Sequence, residues 1–216
     1  MPANKLKPLS IFGLIALMIT LPYKYVSASE TDANKTLLIL GDSLSAGYGI
    51  AQGSNWTDFL QKKLDDKNIK LQLINASISG DTTANGLNRL PRALKQFHPE
   101  LVLIELGAND GLRGLSLRHI KNNLELLIKS CLTAEATVLL MEIIIPPNYG
   151  KKYTRAFQQI YHDLAEKYSL TLLPFLLNNI ATHSELMQAD GIHPNKKAQI
   201  KISEGLWQSL TKNKVF

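Results

Sequence analysis

At 216 residues the chain has the size of one α/β domain, which excludes a short peptide and a machine of many domains. Its 45% hydrophobic and 19% charged residues are enough to build a core and exclude a disordered chain. The formal charge of +6 drops by three, to +3, without Lys5, Lys7 and Lys24, and the remaining excess lies in short runs such as Lys62-Lys63, which gives nucleic-acid binding no support.

The N-terminus reads as a signal peptide over residues 1–28. Lys5 and Lys7 precede an apolar run at residues 11–21, followed by Pro22 and the small-x-small sequence Val26-Ser27-Ala28. A membrane-spanning helix needs about 20 residues, so no stable membrane anchor is expected. Cleavage after Ala28 would leave residues 29–216 as a single domain, delivered to the periplasm or the medium.

Beyond the signal, β-rich aliphatic runs alternate with amphipathic stretches. Residues 36–40, 71–75, 101–106, 137–145 and 170–173 are predicted strands. Residues 56–64, 83–97, 117–132, 154–168 and 196–211 are predicted helices, with Pro91 a kink or boundary in the second. Trp56, Phe59, Leu60 and Leu64 fall on one helical face. Runs such as Leu-Val-Leu-Ile-Glu-Leu are what strands covered on both faces look like. A three-layer α/β/α sandwich around a five-stranded parallel sheet follows. The only cysteine, Cys131, cannot form an intrachain disulfide and reads as a buried thiol.

In such a sheet, ligands bind beyond the carboxyl ends of the strands. Four polar, glycine-bearing segments fall there: Gly41-Asp42-Ser43-Leu44-Ser45-Ala46-Gly47, Ser77-Ile78-Ser79-Gly80-Asp81, Gly107-Ala108-Asn109-Asp110-Gly111 and Asp190-Gly191-Ile192-His193-Pro194. The first lacks the Lys of a P-loop and is not a Gly-x-Ser-x-Gly elbow. It leaves a serine at a strand-to-helix turn, and a serine needs a base with a third group to orient it. Asp190 and His193, three residues apart, can supply both. Gly80 and Asn109 can donate to a developing oxyanion, although alone they would suit a turn and a helix cap. Asp42, Asp81 and Asp110 read as capping or supporting residues. His98, His119, His162 and His183 show no metal-ligand spacing, so no metal site is indicated.

Together the four segments resemble the conserved blocks of the SGNH (GDSL) hydrolases. Longer stretches are similar to a branch of that family made of bacterial periplasmic thioesterases that also act as lysophospholipases. The resemblance implies a flavodoxin-like fold, no cofactor, Ser43 as nucleophile, His193 as base and Asp190 as its orienter. It also implies an oxyanion hole formed by Ser43, Gly80 and Asn109. The expected activity is hydrolysis of small acyl esters, thioesters or lysophospholipids through an acyl-Ser43 intermediate, by a monomer. Leu112, Leu115, Ile145, Pro146 and Tyr149 are the expected substrate-binding residues, with the loop at residues 108–115 a candidate lid. Two alternatives stay open: a carbohydrate O-deacetylase using the same triad, and a non-catalytic envelope binding protein.

Overall fold

Each aliphatic run becomes a strand of one parallel sheet: β1 (Lys35–Gly41), β2 (Leu71–Asn75), β3 (Leu101–Glu105), β4 (Thr137–Met141) and β5 (Thr171–Leu173). The order is β2-β1-β3-β4-β5. A computed structural model describes Met1 and residues 35–216. Apart from Met1, the expected signal peptide lies outside the described residues.

Seven helices connect or flank these strands among the described residues: α1 (Ser43–Ala46), α2 (Trp56–Asp66), α3 (Thr83–Phe97), α4 (Ala108–Leu112), α5 (Leu117–Thr133), α6 (Lys151–Tyr168) and α7 (Lys196–Lys212). Successive side chains on a strand point to opposite faces, and both faces are apolar here. Leu38, Leu40, Val102 and Ile104 pack with residues of α3, α5 and α6. Leu37, Ile39, Leu101 and Leu103 pack with residues of α2 and α7. Leu37, Leu38, Ile39 and Leu40 are all 0% exposed, each contributing about 1.5–3 kcal/mol by burial. This is the expected three-layer sandwich.

Two expectations change. The strand predicted over residues 137–145 ends at Met141. Its last neighbour, β5, stops at Leu173, whose carbonyl accepts the Glu142 N–H at 2.9 Å, and among the described residues no strand continues beside it. Ile143 and Ile145 remain buried, so the hydrophobic alternation outlasts the ladder. Pro91, in turn, does not end a helix: α3 runs through it. Leu90 and Ala93 on either side are buried against the sheet layer, and this packing offsets the missing backbone donor.

From β1 the chain moves outward to β2 and then returns to β3 on the other side of β1. Connections leaving in opposite directions open a crevice at the carboxyl ends of β1 and β3.

Candidate active site

Gly41 ends β1 at a point where only hydrogen fits, since a Cβ there would lie 2.5 Å from Glu105 Oε2 and 2.8 Å from Ser45 Cβ. Asp42 then caps α1, its Oδ1 accepting the Leu44 N–H at 3.1 Å. Ser43 is consequently the first residue of a helix, where backbone N–H groups lack intrahelical acceptors. The following turn is held from several sides. Ser45 Oγ donates to Glu105 Oε2 at 2.7 Å. The Ser45 carbonyl accepts the side-chain amides of Asn55 and Asn75 at 2.6 and 2.7 Å.

His193 reaches Ser43 from the turn before α7. Met187 and Pro194 form an antiparallel bridge, and the Gln188 N–H donates to the His193 carbonyl at 2.7 Å. Gly191 turns the chain with φ +68°. Asp190 Oδ1 accepts the backbone N–H groups of Ile192 and His193 at 2.9 and 3.0 Å. Its Oδ2 lies 2.7 Å from His193 Nδ1, and His193 Nε2 lies 2.8 Å from Ser43 Oγ. With Nδ1–H donating to the carboxylate, Nε2 is left to accept the Ser43 hydroxyl. The His193 backbone N–H, then its ring, hold the Asp190 carboxyl down to about 2, so it is ionised at neutral pH. The Tyr48 ring lies against the imidazole with centroids 4.5 Å apart.

Asn109 sits in α4, after β3, with its amide pointed toward the loop that carries Ser43. Nδ2 donates to the Asp81 carbonyl at 2.9 Å and to Asp42 Oδ2 at 3.2 Å. Gly80 takes φ +83°, and among the described residues no acceptor takes its N–H. Its carbonyl accepts Arg113 Nη2 at 3.3 Å. The three flanking aspartates play supporting parts. Asp42 caps α1, Asp81 pairs with Arg89 at 2.6 Å, and Asp110 accepts the backbone N–H and hydroxyl of Thr83 at 2.8 and 2.6 Å.

A cavity of about 610 Å³ opens beside Ser43 and His193. Leu112, Ile145 and Pro146 line it, together with Phe175, Leu177 and Ile192. Leu115 and Tyr149 stand outside this lining. Leu115 packs against the core, and the Tyr149 hydroxyl donates to the Leu112 carbonyl at 2.8 Å. The segment expected as a lid is largely helical, and the Tyr153 hydroxyl also ties it at the Leu115 carbonyl, 2.8 Å away.

A family model for the "GDSL-like Lipase/Acylhydrolase family" matches residues 39–199, which contain all four segments. The chain belongs to this family. Among its GDSL-like relatives, an arylesterase of Vibrio mimicus is 44% identical over 196 residues, covering 91% of this chain and 98% of the relative. The "Thioesterase 1/protease 1/lysophospholipase L1" of Escherichia coli strain K12 is 45% identical over 178 residues, covering 82% and 84%. The solved structure of the psychrotrophic esterase EstA from Pseudoalteromonas sp. superposes with a TM-score of 0.81 at 47% identity, covering 82% of this chain and 97% of that one.

Sequence reasoning missed two groups of residues in this GDSL-like acylhydrolase. Glu105 is fully buried with its Oε1 unpartnered among the described residues. Burial, and then the nearby Asp42 carboxylate, push it well above the ordinary glutamate value. Burial likewise raises Asp42 to about 6. A glutamate inside Leu-Val-Leu-Ile-Glu-Leu was the available signal. The cavity wall formed by Phe175, Leu177 and Met187 carried none, because it comes from a segment without strand or helix periodicity.

Proposed function

We propose that the chain is an exported serine hydrolase that cleaves acyl esters and thioesters, lysophospholipids included, through a covalent acyl-Ser43 intermediate. The observation that carries this reading is the unbroken line from Asp190 through His193 to Ser43, with contacts of 2.7 and 2.8 Å. His193 Nε2 removes the hydroxyl proton as Oγ attacks the acyl carbon. Ionised Asp190 fixes the tautomer and stabilises the imidazolium. The carbonyl oxygen becomes an oxyanion facing the Ser43 N–H, the Gly80 N–H and Asn109 Nδ2. Collapse of the tetrahedral intermediate expels the alkoxide or thiolate, which takes the proton from His193. Water, activated by the same imidazole, then releases the acid and restores Ser43.

The largely apolar cavity, with Leu112, Ile145 and Pro146 on its wall, suits an acyl chain better than a lone acetyl group. The names of the relatives support esters and thioesters as substrates. The EstA structure is described as inhibited by monoethylphosphonate, which supports testing this chain with phosphorus electrophiles. A fluorophosphonate probe should label the wild-type protein, while Ser43→Ala should lose both labelling and hydrolysis and keep its melting temperature. Unchanged turnover in that variant would refute the mechanism, and an unlabelled, inactive wild type would favour a binding protein. Turnover of acetyl esters in clear preference to longer acyl esters would favour a deacetylase. Export rests on residues 1–28. No helix among the described residues is long and apolar enough to cross a membrane.

A further inference from the structure

Large apolar side chains left exposed on the domain are unevenly placed. Leu126, Leu132 and Ile200 stand singly on helix surfaces, and Phe216 rests on Trp207. Tyr48, Ile78, Ile144, Tyr149 and Ile192 instead share the end of the sheet where the cavity opens, and the first three are 53%, 51% and 42% exposed. Ile144 and Ile192 both border the cavity, and Tyr48 lies on the His193 ring. Tyr149 is tied to Leu112, another cavity residue. Ile78 belongs to the loop whose Gly80 carbonyl accepts Arg113. These contacts make the five side chains a rim around one mouth, and an exposed apolar patch of that kind marks an interaction surface.

Exposed cations stand beside this rim. Arg113 closes α4, and Lys151 and Lys152 open α6 directly after Tyr149 and Gly150. The first turn of α6 contains no acid, so both lysines face the positive end of a helix dipole, a placement that helix stability disfavours. The acids of the same loops do not neutralise them. Asp42, Asp81 and Asp110 are buried, and Asp190 is bound to His193. Glu142 is turned to Gln158 and His162.

We propose that this rim docks on a lipid bilayer carrying anionic headgroups. Ile78, Ile144, Tyr149 and Ile192 enter the outer acyl region, while Arg113, Lys151 and Lys152 lie at headgroup level, the division of labour seen in interfacial protein surfaces. Docked in this way, the cavity mouth faces the lipid. That the site then draws acyl substrates from the layer rests on the acyl-hydrolase reading above; the docking itself does not.

The test is co-sedimentation of the protein with its N-terminus at Ser29, so that the cationic, apolar leader does not contribute, with vesicles of phosphatidylcholine alone and with phosphatidylglycerol added as an equal part. A Ser43→Ala background prevents hydrolysis of the lipid. Binding should be stronger to the anionic vesicles and should weaken as salt is raised. Lys151→Gln with Lys152→Gln should lower the anionic partition by about 30-fold, the loss of two surface charges. Ile78→Ser should lower binding at an unchanged melting temperature. With Ser43 intact, the lysine double variant should hydrolyse a soluble butyrate ester at the wild-type rate. Equal sedimentation with both vesicle types, or an undiminished anionic preference in the lysine variant, would overturn the proposal. A concentration-dependent dimer broken by Ile78→Ser would also overturn it, assigning the rim to a second copy of the chain. A wild type that binds anionic vesicles but hydrolyses no ester would sink the acyl-hydrolase reading and leave the docking standing.

Discussion

Asn109 already has two acceptors before a substrate arrives, the Asp81 carbonyl at 2.9 Å and Asp42 Oδ2 at 3.2 Å. In the proposed mechanism the oxyanion takes over from the longer and weaker of these, so the amide is oriented in advance. Asn109→Ala should therefore lower kcat by about 10²–10³ with little change in KM; steady-state kinetics on a soluble ester decides, and a change confined to KM would make it a binding residue. Glu105 allows a second prediction. Its folded value lies above the ordinary 4.5 because of burial, so the folded state holds this proton more tightly than the unfolded chain. The stabilisation is complete below pH 4.5 and is lost as pH rises through the folded value. Glu105→Gln keeps an acceptor for Ser45 and does not titrate. Its stability relative to wild type should increase from pH 4.5 upward in urea unfolding, and a pH-independent difference would refute this account.

Among the elements, the turn from β3 into α4 leaves no room for a Cβ. Gly107 takes φ +119°, and a Cβ there would fall 2.1 Å from the Tyr161 hydroxyl, which donates to the Leu106 carbonyl at 2.9 Å. Gly107→Ala should cost about 1–3 kcal/mol for the backbone conformation alone. It should also reduce kcat, because Asn109 lies two residues on; urea unfolding and ester kinetics read the two effects separately. The strands were legible because both faces are covered and aliphatic residues run without interruption, as in Leu37, Leu38, Ile39 and Leu40. Ser43, Asn109, Asp190 and His193 were legible because polar residues and glycines follow such runs or form a compact turn. The end of β4 was not, since Ile143 and Ile145 are buried like strand residues and only the neighbouring strand's length separates the cases. Nor were α1 and α4, which are too short to show a helical period. The part of the cavity lining that comes from residues 174–190 depends on how that segment folds back over the sheet, a long-range outcome that no local spacing records.

At the scale of the whole molecule, the domain and its leader are separable expectations. Protein taken from the envelope should have a mature N-terminus at Ser29, and intact-mass measurement decides this; a full-length species held in the inner membrane would argue for an anchor. The single thiol does not tie the fold to either side of that membrane, since Cys131 is buried and burial pushes it up to about 12. A different constraint follows from the Ser43–His193 contact, which joins positions 150 residues apart. Ser43 opens α1, whereas His193 stands in the turn before α7. The last helix must also dock, through the bond from the Trp56 N–H to Gln199 Oε1 at 3.0 Å, before the His193 turn is backed by the rest of the domain. In the proposed mechanism, a fragment that stops before His193 therefore holds the serine without its base and should hydrolyse no ester.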